Sequence, residues 1–444
     1  MSSLSTQSYK GTKDYYPEDK RLQNYLFNTW RKVVEGFGYE EYGTPLLEPI
    51  EIFAAKSGQE LVSEQTYTFE DRGGRTVAIR PEMTPSLSRM VAGRRQELAM
   101  PARLYSIVNF MRYERPQRGR EREFWQLNAD LFGVDNVQAD VEIIYMSHQC
   151  VMAFGAKQSM FKIRLNNRQL VNQLMSGFLG LDVIGANLMI KLLDKKDKLS
   201  ADEFRRQAIE IFGNDASLGL PKLAELISVS SFSSLPSSLS ELPSVKDLKK
   251  TLELLRKRGV ENAELDLTLM RGLDYYTGTV FEFFDNHPEN NRALFGGGRY
   301  DGLVGLFGVE PLSTVGVALG ATTMLQFLET HQLIPELNTH TDAYIVPIDE
   351  QSIEGANELA VKLRALDVKI ELDITGRKID KQIKTADKKG IPFVIFVGSD
   401  EIVDEVYSVK NLKTAEEQKV NVMRIVSIVK DYRYDGGDDS AFVV

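Results

Sequence analysis

Five short stretches carry residue types that can do chemistry. The densest is "RYERPQRGRERE", Arg112 to Glu123, with five arginines, no lysine and nearly balanced charge. Guanidinium forks match phosphate oxygens bidentately, so one reading is a phosphate or RNA contact made from a loop. The other is a solvated hairpin laced with Arg–Glu pairs. Arg112 ends an apolar strand and can lie over a sheet face, whereas Arg115, Arg118 and Arg120 fall in the turn. The second stretch, "RGLDYYTGTVFEF" from Arg271 to Phe283, brings a cation, an acceptor and two tyrosine hydroxyls together. Arginine cannot act as a base, so Arg271 would hold a carboxylate or phosphate as negative charge builds. A surface Arg–Asp pair with tyrosines as core filler is the alternative. In "RPEMTPS", Arg80 to Ser86, Glu82 and Thr84 project to one side of an extended backbone and offer an anion and a hydroxyl to an ammonium group. A plain loop with Thr84 as helix cap explains the same residues. "FGGGRYDGL", Phe295 to Leu303, requires either close backbone approach or only a flexible turn. "STVGVALGATTMLQFLET", Ser313 to Thr330, steps through Gly316, Ala318 and Gly320 from a strand into a helix. That is the wall of a nucleotide site or a tight packing corner.

The elements that must hold these residues follow from periodicity. Apolar spacing of three and four from Asp19 to Gly36 predicts an amphipathic helix. Alternation at Tyr67, Phe69, Val77 and Ile79 around an Asp-Arg-Gly-Gly turn predicts a hairpin, and the arginine-rich loop joins two longer strands in the same way. Helical spacing resumes from Asp140 to Gly155 and fills an insertion at about 166–257. A catalytic core is expected over 1–330, a linker over 331–341 and a second domain over 342–444. In that last domain strands "AYIVPI", "VKIELDI" and "IPFVIFVG" alternate with helices, followed by a polar stretch and a final helix from Asn421, predicting a largely parallel sheet.

Composition bounds the function. The chain has 444 residues, enough for two or three cores. There is no run of eighteen apolar residues and no apolar core near the N-terminus, so a cytoplasmic protein is expected. One cysteine, Cys150, and four histidines without ligand spacing make a Cys- or His-built metal site a poor expectation. The net charge of −9 argues against a diffuse grip on nucleic acid, so contact with RNA must come from a local basic patch.

In this order and spacing the segments resemble the histidyl-tRNA synthetases, class II aminoacyl-tRNA synthetases, over nearly the whole chain. "KGTKDYYP" is similar to the family's opening and "YGTPLLEP" to its dimer-forming first motif. "FMRYERPQRGREREFWQ" resembles motif 2, while "RGLDYYTGTVFEF" and "FGGGRYDGL" resemble the two stretches peculiar to the histidyl enzymes. The resemblance implies an α+β catalytic domain with an antiparallel class II sheet, a helical insertion and a C-terminal α/β anticodon-binding domain. It implies a homodimer that joins histidine to the 3′ end of histidine tRNA through histidyl-adenylate, with ATP as substrate and Mg2+ accompanying it. Carried over by position, Glu82, Met83, Thr84 and Gln126 hold the substrate's α-amino end, and Asp130 with Tyr275 and Tyr276 holds the imidazole. Arg112 grips the α-phosphate, Arg271 stabilises charge as the carboxylate attacks, and Gln117 and Arg118 meet the acceptor stem. Motif 3 departs from the pattern, because Thr322 and Thr323 stand where the family has Glu-Arg. That departure keeps a second expectation open: a non-acylating histidine-binding paralogue, acting as a regulatory subunit of ATP phosphoribosyltransferase. A prolyl- or threonyl-type enzyme does not account for the Asp130, Tyr275 and Tyr276 set.

Overall fold

A chain with apolar residues at every second position must cover one face of the resulting strand, and the longer of the eleven strands described in the first compact unit, 1–334, do so. The computed structural model describes residues 4–54, 61–196, 199–229, 231–235, 237–270, 275–290 and 293–435. In chain order the strands are β1 (Glu40–Glu41), β2 (Leu47–Pro49), β3 (Thr68–Glu70), β4 (Thr76–Ile79), β5 (Ala102–Met111) and β6 (Glu123–Phe132). They continue as β7 (Phe161–Asn167), β8 (Ala263–Leu265), β9 (Thr279–Asp285), β10 (Ala293–Arg299) and β11 (Thr314–Gly320). Among the described residues the main sheet has eight strands in the order β1-β5-β6-β11-β10-β9-β7-β8. The five inner pairings are antiparallel, and the edge strands β1 and β8 add in parallel. β2, β4 and β3 form a separate three-stranded sheet.

The period of two divides the main sheet's faces. Leu127, Ala129 and Leu131 of β6, Val315, Val317 and Leu319 of β11, Phe281 and Phe283 of β9, and Ile163 and Leu165 of β7 all enter one core. The helices Pro17–Gly36, Val137–Met152 and Ala321–Thr330 cover it with Trp30, Ile144 and Phe327, each fully buried. Asn136 starts the second of these helices by accepting the backbone N–H of Gln138. The intervening residues, Gln126, Asn128, Asp130, Gly316, Ala318, Gly320, Glu282, Phe284, Lys162 and Arg164, line a cleft on the opposite face. The insertion is helical, with helices Val183–Asp194, Ala201–Phe212, Ala216–Ser228 and Pro243–Lys257, and its Asp194 and Lys196 reach the cleft mouth.

The second unit, 335–444, has its own sheet of β12 (Ala343–Pro347), β13 (Ile370–Leu372), β14 (Phe393–Val397), β15 (Tyr407–Asn411) and β16 (Glu417–Val420), ordered β13-β12-β14-β15-β16. Only β13, β12 and β14 run parallel, while β14-β15 and β15-β16 pair antiparallel. This corrects the expected polar stretch before Asn421, which holds two strands. The reason is burial: β16 is an edge strand, "EQKV", exposed except for Val420 at its end, so it carries no apolar period to read. β12 and β14 are buried on both faces, by Ile345, Leu359 and Val397 on one side and Tyr344, Val394 and Ala386 on the other.

Candidate active site

The cleft over the catalytic sheet has a volume of ≈ 1230 Å³. Missing Cβ atoms shape its floor at Gly316 and Gly298, whereas Gly297 faces the core beside Phe281 and lets the strands pack closely beneath it. A methyl group added at Gly316 would lie 1.8 Å from Asp130 Oδ1, one at Gly297 would lie 2.1 Å from the Gly316 carbonyl, and one at Gly298 would lie 2.8 Å from the Tyr276 ring. The triplet of "FGGGRYDGL" therefore sits inside β10, with Gly298 opposite Gly316 across the β10–β11 ladder, and the turn reading is excluded. Directly across from β6, Gly316 faces Asp130, Ala318 faces Asn128 and Gly320 faces Gln126. Opposed residues in an antiparallel pair have their Cβ atoms about 4.5–5.5 Å apart, so small partners on β11 leave room for each functional side chain on β6.

Glu82, Thr84 and Tyr275 converge from two distant segments. The Tyr275 hydroxyl donates to Glu82 Oε2 at 3.2 Å and lies 3.5 Å from Thr84 Oγ1. The backbone does not stay extended there: Met83 is in the helical region and Thr84 opens the helix Thr84–Gly93, so Thr84 is not its cap. Met83 is buried among Leu87, Val91 and Phe110, and its sulfur accepts the Thr44 hydroxyl at 3.3 Å. Tyr275 packs tilted against Tyr276, 5.1 Å away, and edge to face against Tyr300, 5.7 Å away. The tyrosines are buried, as core filler would be, but they also line the cleft.

Asp130 is 5 % exposed and accepts a hydrogen bond from the Tyr300 hydroxyl. Burial pushes its carboxyl up to about 7, against the opposing pull of that bond. Tyr300 was not legible as a site residue in "FGGGRYDGL", because its partner Asp130 lies 170 positions away on another strand. Asn128 was also missed. Its Nδ2 is buried without a hydrogen-bond partner and it stands between Gln126 and Asp130 on the cleft face. The signal available was the period of two from Gln126 to Asp130.

Arg112 leaves β5 at the edge of the cleft. Its Nε donates to the Pro81 carbonyl at 2.9 Å and its guanidinium stacks 5.3 Å from the Phe124 ring, which leaves its remaining nitrogens for a ligand. Gln117, Arg120 and Glu121 also line the cleft, and Arg120 pairs with Glu114 at 2.7 Å. Both readings of the loop therefore hold in part, since some arginines pair with carboxylates while Arg112 and Arg120 face the cleft. Arg118 points elsewhere: it is exposed and 4.0 Å from Glu289. At the start of the helix Ala321–Thr330, the Thr322 hydroxyl donates to Glu121 Oε2 at 3.2 Å and the Thr323 hydroxyl to the Leu294 carbonyl at 2.5 Å. Burial raises the Glu121 carboxyl, and the Thr322 bond partly offsets this. Arg271 lies outside the described residues.

A family profile described as histidyl-tRNA synthetase matches residues 11–324, and one described as an anticodon-binding domain matches 342–432. The chain belongs to the histidyl-tRNA synthetase family. The histidine–tRNA ligase of Leptospira biflexa is 38% identical over 434 residues, covering 96% of this chain and 98% of the relative. That of Thermococcus kodakarensis is 35% identical over 429 residues, covering 94% and 96%. In fold, the chain is similar to histidyl-tRNA synthetase from Nostoc sp., with a TM-score of 0.83 at 24% identity over 97% of this chain and 100% of that one. It is also similar to a Bacillus halodurans protein described as an ATP phosphoribosyltransferase regulatory subunit/histidyl-tRNA synthetase, with a TM-score of 0.73 at 25% identity over 89% and 99%. The two profile matches fall on the two compact units, 1–334 and 335–444, respectively.

Proposed function

We propose that this chain is a histidine–tRNA ligase that converts histidine and ATP to histidyl-adenylate and pyrophosphate, then transfers the histidyl group to the 3′ end of histidine tRNA. The observation that carries the reading is the convergence of Glu82, Thr84, Gln126, Asp130, Tyr275 and Tyr276 with Arg112 in one cleft. Glu82, Thr84 and Gln126 bind the substrate ammonium, beside Met83, which shapes the pocket floor. Asp130 and Tyr276 bond the two imidazole nitrogens, and Tyr275 orients Glu82. A site that bonds both nitrogens rejects apolar amino acids, which cannot make those hydrogen bonds.

The substrate carboxylate attacks the α-phosphorus and pyrophosphate leaves, so no proton has to be removed and no general base is required. What the reaction needs is alignment and positive charge around the phosphorus. Arg112 supplies it from motif 2 and Arg271 from the histidyl-specific stretch; Mg2+ carried by the nucleotide would add further positive charge, and Glu121 and Glu282 of the cleft would be the carboxylates able to hold it. Gln117 and Arg118 contact the acceptor stem. The enzyme works as a cytoplasmic homodimer, for which Leu46 and Leu47, both nearly half exposed in the first-motif segment, supply apolar contact surface.

One observation favours a second reading, the regulatory paralogue: Thr322 and Thr323 offer no cation to the nucleotide. The arginine-rich loop and the second unit weigh against it. Histidine-dependent exchange of pyrophosphate into ATP separates the two, since purified folded protein without exchange would end the ligase reading.

A further inference from the structure

The N-terminal segment lies across the base of the arginine-rich loop. Tyr9 to Thr12 form a turn closed by the Thr12 N–H donating to the Tyr9 carbonyl at 2.9 Å, with Gly11 at φ +86° in its third position. Few residues other than glycine adopt that φ there. The Gly11 carbonyl accepts the backbone N–H of Arg122 at 2.7 Å and of Glu123 at 3.3 Å. Contact is so close that a Cβ on Gly11 would lie 2.7 Å from Arg122 Cγ and 2.9 Å from Pro116 Cγ.

Arg122 is the node. It is 9 % exposed although it belongs to an otherwise solvated hairpin. Its guanidinium sits 4.2 Å from the Tyr113 ring and 5.5 Å from the Tyr9 ring, and its Nη1 donates to the Tyr9 hydroxyl at 2.9 Å. Its Nε donates to the Glu114 carbonyl at 3.2 Å, and its own carbonyl accepts the Arg112 N–H at 2.8 Å. Tyr67 closes the cage, edge-on to Tyr113 at 5.5 Å and with its hydroxyl 3.5 Å from that of Tyr9. One side chain thus ties both stems of the loop to each other and to the N-terminal turn. Arg122 and Tyr113 are not part of the cleft lining, whereas Arg112, Glu114, Gln117 and Arg120 are.

We propose that Tyr9–Thr12 is a strap that clamps Arg122 between Tyr9 and Tyr113, making Arg122 a positioning residue that holds the 112–123 hairpin with Arg112 and Arg120 over the nucleotide. A hairpin free at its base would sample orientations with those arginines withdrawn, and nucleotide affinity falls by the fraction of time it does so. The strap sets the loop's state without touching histidine, because the histidine-binding groups lie on β6, in the Tyr275–Tyr276 segment before β9 and in the Glu82 segment. This rests on the ligase reading for the identity of the nucleotide.

The test uses the full chain with Tyr9→Ala, Tyr9→Phe and Arg122→Lys. Arg122→Lys keeps the charge but loses the planar stack and the fork. Tyr9 is 54 % exposed, so its replacement leaves the core intact. Tyr9→Ala and Arg122→Lys are expected to raise the KM for ATP in pyrophosphate exchange by roughly three- to tenfold, the range of a desolvated cation–π contact, with the KM for histidine within about twofold. Tyr9→Phe, losing only the hydroxyl, should show a smaller rise. Without ligands, trypsin should cut after Arg118 or Arg120 several times faster in Tyr9→Ala than in the native chain. Unchanged cleavage and unchanged KM for ATP in both Tyr9→Ala and Arg122→Lys would overturn the proposal, as would equal rises in both KM values. If the native protein shows no exchange, the ligase reading fails, while the cleavage comparison still decides the strap.

Discussion

β6 and β11 run side by side along the cleft and have opposite character. β6 presents Gln126, Asn128 and Asp130, and the hairpin before it adds Arg112 and Arg120, whereas β11 presents Gly316, Ala318, Gly320 and then Thr322 and Thr323. The first strand supplies charge and hydrogen bonds. The second supplies room: each of its small residues stands opposite a functional one, and its threonines spend their hydroxyls on Glu121 and on the Leu294 carbonyl. A site that must align two substrates needs both, because a side chain can aim at a ligand only where its cross-strand neighbour leaves space.

Removing charge from the first wall should do the most damage. Arg112→Ala is expected to lower kcat/KM for histidine-dependent exchange by roughly 10²–10³-fold, the usual effect of losing one stabiliser of developing charge. Histidine binding, followed by calorimetry, should change far less, and an equal loss of both would remove its role in the chemical step.

Adding bulk to the second wall comes next. Gly316→Ala puts a methyl within bonding distance of Asp130 Oδ1, and relief by shifting Asp130 costs about 1–3 kcal/mol. Histidine KM should rise about ten- to a hundredfold while ATP KM stays near native, whereas Ala318→Gly should be close to silent. A Gly316→Ala enzyme with native histidine KM would show that the small residue is not there for space.

The third concerns pH. Asp130 has its carboxyl raised to about 7 in the fold, against about 3.9 in an unfolded chain. The folded state therefore binds the proton more tightly, so this group stabilises the fold below about pH 4 and that contribution is lost as pH rises through 7, with a slope of at most about 1.4 kcal/mol per pH unit. Asp130→Asn removes the titration. Its stability in urea relative to the native chain should grow between pH 4 and 7 and level off above, whereas a flat difference would mean that Asp130 is not raised. The smallest effect is expected at Thr323→Arg, where a cation added to the bare wall should lower the KM for ATP about threefold. A rise instead would mean that the Thr323 bond to Leu294 matters more than the missing charge.

Much of the site was legible because it depends on local rules. Alternation marked β5 and β6, residue type marked Arg112 and the two tyrosines, and the family resemblance marked Asp130. The strap was not legible, since Tyr9 and Arg122 are 113 positions apart and neither lies in a periodic element. β16 was missed because its pairing is made by backbone bonds that any residue can form.

By itself the sequence determined which residues can bear charge, which strands alternate and which family motifs occur in which order, because these depend on residue type and near neighbours. Only the tertiary structure decided that Gly298 and Gly316 clear a floor, that Tyr300 is the partner of Asp130 and that Thr322 meets Glu121. Each of these is a contact between segments far apart in the chain, set by strand order and register, and no local pattern encodes which strands will lie side by side.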